Sequence, residues 1–164
     1  MAKDNRLYTL VKTTSKFPKG IRSTLWSTAF GRIVPMVGTA NIRYLEVDQD
    51  HVTVRIENTR NMQNHIKGVH AAAMALLAET ATGFLTGLHV PDNRILLIKS
   101  LHVDYLKVAQ GGLTATATLS ADQQKLIAEN EKGELLIPVT VIDDSGNQPI
   151  HCEMLWAWLP KRKK

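Results

Sequence analysis

The stretch Asn64-His65-Ile66-Lys67-Gly68-Val69-His70-Ala71-Ala72-Ala73-Met74-Ala75-Leu76-Leu77-Ala78-Glu79-Thr80-Ala81-Thr82-Gly83 decides the fold. A polar loop feeds a long helix of small residues. From Val69 to Val90 the only formally charged side chain is Glu79. A helix that is apolar nearly all round is a buried helix. A lone carboxylate in it is expensive unless it is paired or used. At helical spacing Val69, Ala73, Leu76, Leu77, Thr80 and Phe84 share one face, and Ala71, Ala75, Ala78 and Thr82 lie roughly opposite. Glu79 sits on the border. Its helical neighbours Ala72, Ala75 and Gly83 are small, which leaves room beside the carboxylate for something other than protein. Gly68, just before the helix, lets the loop backbone come close to that something. The first N–H groups, near His70 to Ala72, have no intrahelical partner and form a ready site for an anion or a developing oxyanion.

Outward from this stretch the chain reads as one domain of 164 residues, long enough to bury a core. Hydrophobic residues at 44% and charged residues at 21% are ordinary globular values. The single cysteine, Cys152, excludes an internal disulfide framework and fits a reducing cytoplasm. In a strand-like run it reads as a small core residue. No apolar run has membrane-span character. The net charge of +5 is uneven: residues 1–45 hold one acid, Asp4, against Lys3, Arg6, Lys12, Lys16, Lys19, Arg22, Arg32 and Arg43. An organelle transit peptide, a nucleic-acid face, attraction of an anionic small ligand and plain solvated helix faces all fit such a start. No aromatic interleaving or named nucleic-acid motif accompanies it, so no nucleic-acid partner is expected.

The rest of the chain alternates legibly. Residues 5–16 and 20–34 have helical periodicity, separated by Pro18-Lys19-Gly20 and ended by Pro35. Residues 40–47 and 51–57 form a hairpin around Asp48-Gln49-Asp50. After the central helix come strands over 94–108 and 113–119, then a short helix over 121–130 capped near Ser120. Strands over 135–142 and 149–159 close the chain. The expected fold class is α+β: an antiparallel sheet wrapped around a long central helix, preceded by N-terminal helices. The expected division is a helical segment over 1–37, a main domain over 38–160 and a basic tail over 161–164.

That order of elements resembles the hotdog fold. The loop and helix resemble the branch related to phenylacetate-pathway acyl-CoA thioesterases, which carries an Asn, six residues later His-Gly-Gly, and an acid on the helix eight residues after the first Gly. Here Asn64 is followed six residues later by His70, Ala71 and Ala72 replace Gly-Gly, and Glu79 lies eight residues after Ala71. The resemblance implies hydrolysis of an acyl-CoA or acyl-carrier thioester. Glu79 would be general base or nucleophile, and the N–H of Ala71 or Ala72 the oxyanion donor. Asn64 would orient the water or the carboxylate, and His70 would polarise the carbonyl or order the loop. It implies a site between subunits of a homodimer or homotetramer. Pantetheine would pass between helix and sheet, with Gly68 among the substrate-binding residues, and its phosphates would meet Lys67 and Lys107. No cofactor is implied.

Plainer readings stand beside these. Glu79 could pair with Arg43, Lys99 or Arg55, His70 could be a hydrogen-bonded first-turn residue, and Asn64 a turn residue. No metal-ligand spacing occurs among the histidines, and Gly-x-Ser-x-Gly is missing. His65 precedes Glu79 by fourteen residues, the interval of hotdog dehydratases and hydratases, so that chemistry is the second reading. A non-catalytic acyl-CoA binder is the third.

Overall fold

The computed structural model describes residues 5–162. The chain opens with three helices, α1 (Arg6–Thr14), α2 (Lys19–Ile33) and α3 (Pro35–Thr39). Strands β1 (Arg43–Val47) and β2 (His51–Ile56) form the first hairpin, and the central helix α4 spans Ala71–Gly87. Then come β3 (Arg94–Tyr105), β4 (Leu113–Thr118), α5 (Ala121–Glu129), β5 (Gly133–Ile137), β6 (Val139–Asp143) and β7 (Ile150–Pro160). The last two residues of the expected basic tail, Lys163 and Lys164, lie outside the described residues.

Every strand pairing is antiparallel, in the orders β1-β2-β4-β6 and β3-β7-β5. The expected strand over 135–142 is broken at Pro138. Its first half pairs with β7 and its second with β4, so one run of chain passes from one sheet to the other. Proline lacks the N–H a central strand needs, and the break falls where the ladder changes partner. The sheets curve around α4, which packs against β2, β3, β4, β6 and β7. This is the hotdog fold, of class α+β.

Alternation explains the core. Val52, Val54 and Ile56 of β2 and Leu113, Ala115 and Ala117 of β4 point inward and are fully buried. The alanines of β4 let α4 lie close to the sheet. Ser120 starts α5 with a capping box, its hydroxyl taking the Gln123 N–H while the Gln123 side chain takes the Ser120 N–H.

Two contacts lock the N-terminal helices over the end of α4. Buried Asn5 caps α1 by accepting from the Tyr8 N–H at 2.8 Å. Its Nδ2 donates to the carbonyls of Gly87 at 2.7 Å and Val90 at 2.6 Å, so one amide serves the start of α1 and the end of α4. Trp26 Nε1 donates to Thr14 Oγ1 at 2.8 Å, joining α2 to α1. No helix among the described residues is long and apolar enough to cross a membrane.

Candidate active site

The loop into α4 is built around Asn64. Its Oδ1 accepts from the N–H groups of Ile66 at 3.0 Å and Gly68 at 3.1 Å, and its own N–H donates to the Gly68 carbonyl at 2.9 Å. Lys67 adopts φ 64°, in the left-handed region that a lysine rarely enters. The Asn58 side chain holds its carbonyl at 3.0 Å. His70 is the N-cap: its Nδ1 accepts from the Ala72 N–H at 3.1 Å. The Ala72 N–H is thereby occupied. The Ala71 N–H has no hydrogen-bond partner among the described residues, and the Ala71 carbonyl accepts from the Tyr105 hydroxyl at 2.9 Å. Of the two amides expected to stabilise an oxyanion, one is free.

Glu79 stands two turns further along α4, half-buried. The three cations that could have paired with it are engaged elsewhere. Arg43 and Arg55 bind Glu57, with Arg55 also bridging to Asp144, and Lys99 binds Glu134. Glu79 makes no ion pair among the described residues. Burial raises its carboxyl above the usual range.

A cavity of about 300 Å³ opens beside it. From α4 it takes Glu79, Thr80, Gly83, Phe84 and Gly87. From β1 comes Tyr44, from β3 Leu96, from β7 Trp156, and from the N-terminal helices Leu7, Phe30, Ile33 and Val37. Phe30 meets Tyr44 and Phe84 edge-on and those two rings are tilted to each other, with ring centroids 4.4–5.1 Å apart. Burial, and then the charge of Glu79, hold the Tyr44 phenol well above its ordinary pKa, so it is a neutral O–H beside the carboxylate. Thr80 Oγ1 is buried with no hydrogen-bond partner among the described residues. Trp156 turns its polar edge away, its Nε1 donating to Thr82 Oγ1 at 2.9 Å. Its ring lies so close to α4 that a Cβ at Gly83 would stand 2.6 Å from it. That close approach is what requires the helical glycine.

The structure therefore gathers the expected residues into two places. Asn64, Lys67, Gly68, His70, Ala71 and Ala72 cluster at the start of α4. The Ala109 carbonyl, two residues past Lys107, lies 3.6 Å from where a Gly68 Cβ would be. Glu79 is about 12 Å further along the axis, eight residues at 1.5 Å each. The free Ala71 N–H points out of the helix start, away from it. His65 is exposed on the loop and lines no part of the Glu79 cavity. Cys152 is buried on β7, and burial followed by the charge of Asp104 pushes its thiol up to about 11, which makes it a core residue rather than a thiolate. Among the described residues no three His, Cys, Asp or Glu side chains group to hold a metal.

Sequence reasoning missed Asn5, Tyr44, Thr80 and Trp156. Tyr44 had a signal, the inward phase of the first hairpin strand. The others depend on partners 74 or more residues away, or on packing alone.

A family model described as a domain of unknown function, DUF4442, matches residues 22–159. No curated protein matches significantly. Among solved structures, a Pseudomonas aeruginosa protein of unknown function described as a probable thioesterase superposes with TM-score 0.74 at 19% identity, covering 88% of this chain and 97% of its own. A Haemophilus influenzae thioesterase gives 0.65 at 13%, covering 88% and 92%. A Staphylococcus aureus thioesterase gives 0.66 at 16%, covering 77% and 99%. At these identities the likeness is one of fold.

Proposed function

This chain belongs to the DUF4442 family, and from that footing we propose that it is a thioesterase hydrolysing acyl-CoA or acyl-carrier thioesters. The observation that carries the reading is Glu79: a carboxylate with no ion pair among the described residues, raised by burial, facing an apolar cavity on the central helix of a hotdog fold. A buried structural carboxylate is ordinarily matched with a cation, and none of the described salt bridges includes Glu79. A carboxylate of raised pKa, kept apart from cations, suits a general base.

In this reading Glu79 accepts a proton from water as the water oxygen bonds to the thioester carbon. The carbonyl electrons move to oxygen, then return as the carbon–sulfur bond breaks, and the thiolate takes the proton to leave as free thiol. Direct attack by Glu79 is the variant, with water hydrolysing the resulting anhydride. The oxyanion needs N–H donors, and a single chain offers Ala71 on the wrong side of Glu79. The site is therefore composite: Glu79 of one copy and the N–H of the partner's Ala71 meet one carbonyl. The Ala72 N–H joins only if His70 swings away. Asn64 of the copy that supplies Ala71 orients the water through its Nδ2, since its Oδ1 is used in the loop. Lys67 and Lys107, on neighbouring loops, meet the CoA phosphates.

A homodimer supplies the second copy, and the reading extends to a tetramer of two such pairs. The outer edge of β3 has no strand beside it, and Leu97 and Leu101 are about half exposed there. Such an edge is normally covered, and pairing β3 with its two-fold mate covers it. A lone buried thiol suits a reducing compartment, and the reading assigns the enzyme to the cytoplasm.

The test is a panel of acyl-CoAs with a thiol-detecting dye. Thiol release by the wild type, and a loss of roughly a hundred- to ten-thousandfold in Glu79→Gln, are expected. Full turnover by that variant, shown to be folded, would overturn the assignment. Tight binding of acyl-CoA with no thiol release would favour the non-catalytic reading.

A further inference from the structure

The cavity beside Glu79 is polar at one end only. Glu79, Tyr44 and Thr80 stand together there, and everything from Phe84 to the far end at Gly87, Leu7 and Leu96 is hydrocarbon. The roof is supplied by the N-terminal helices, through Leu7, Phe30, Ile33 and Val37, elements that precede the sheet-and-helix core. Asn5 fixes that roof to the carbonyl of Gly87 itself. A cavity with a reactive, hydrogen-bonding mouth and a greasy end matches a molecule with a polar head on an aliphatic tail. A 150 Å³ apolar cavity holds benzene, six carbons, so about 300 Å³ holds on the order of twelve, and fewer where the mouth is open.

We propose that this cavity is an acyl-chain chamber for a straight aliphatic chain of about eight to twelve carbons, whose length is measured by Gly87, Leu7 and Leu96 at its end. The inference rests on the thioesterase reading for the head group but not for the chain. The chain enters past Glu79 and runs under α1 along α4. Gly87 leaves the end open: a Cβ there would stand 3.4 Å from Leu7 Cδ2 and 3.8 Å from Leu96 Cδ2, so a methyl fits and a larger side chain fills the chamber. Leu7 and Gly87 are length-determining residues, with no part in the chemistry.

Non-hydrolysable thioethers separate this claim from the reaction. Titration calorimetry with S-ethyl-CoA and S-decyl-CoA compares ligands that differ by eight methylenes, each worth about fourfold when fully buried, so wild-type protein binds the decyl compound at least about a hundredfold tighter. Gly87→Leu lowers that ratio at least tenfold and leaves S-ethyl-CoA binding unchanged. Leu7→Ala, which enlarges the chamber, moves the tightest binding to longer S-alkyl chains. A wild-type ratio below tenfold, or a ratio that neither substitution moves, overturns the proposal. A ratio that holds in a protein releasing no thiol from any acyl-CoA keeps the chamber and removes the thioesterase. Thiol release with no chain-length dependence does the reverse.

Discussion

At the scale of single residues, the question is why a carboxylate sits on an otherwise apolar helix with no cation paired to it among the described residues. Burial raises the Glu79 pKa, so the folded state holds its proton over a pH window where the unfolded chain has lost it. Within that window the native state binds more protons than the unfolded state, and stability falls as pH rises through it. Glu79 therefore destabilises the fold at neutral pH. Glu79→Gln should melt higher than wild type at pH 7 to 8, with the difference vanishing below about pH 4, where both states are protonated. A melting series across pH reads this directly; a variant that melts lower at neutral pH would mean the carboxylate has a hidden partner. The same shift sets activity: kcat/KM should rise with pH through an apparent pKa above the ordinary glutamate value of about 4.3. His70 does a different job. Its ring caps α4, so His70→Ala should cost about 1 kcal/mol, roughly 2–4 °C in melting temperature, and lower turnover far less than Glu79→Gln. A loss as large as that of Glu79→Gln would make His70 a participant in the chemistry.

At the scale of elements, α4, the β1–β2 hairpin and α5 were legible because each has a strong local signal: small apolar residues, clean alternation, a capping box. The carboxylate on α4 was legible as the single break in that pattern. The split between β5 and β6 was not read, because inward positions Leu135, Ile137, Val139 and Val141 keep their phase straight through Pro138, and only the proline betrays the change of partner. The wall of the cavity was invisible for a different reason. Asn5 announces a helix start, but nothing local says that its amide reaches the carbonyls of Gly87 and Val90 across more than eighty residues. Asn5→Ala removes a cap and orphans two carbonyls, at a cost of about 2–4 kcal/mol. Hydrogen exchange should then speed up in α1 and at the end of α4 while the β2 and β4 amides stay protected. Uniform loosening of the whole domain would contradict this role for Asn5.

At the scale of the whole molecule, one chain has a carboxylate without its oxyanion donors and a sheet with an uncovered edge. In the composite-site reading proposed above, a second copy completes both. The two halves of the motif were read from the sequence as one site, since spacing along a chain does not reveal that the free N–H points away from the acid. Ala71→Pro deletes that N–H with little other damage: proline is tolerated at the first helical position, and His70, at ψ 142°, already has the backbone a residue before proline prefers.

The decisive measurement is thiol release from decanoyl-CoA by dimers assembled from equal amounts of Glu79→Gln and Ala71→Pro chains, each inactive alone. If Glu79 of one copy works with the N–H of the partner's Ala71, half the dimers are mixed and each keeps one of two sites, so the mixture recovers about a quarter of wild-type activity. A mixture as inactive as its parents, or an Ala71→Pro protein as active as wild type, would contradict the account.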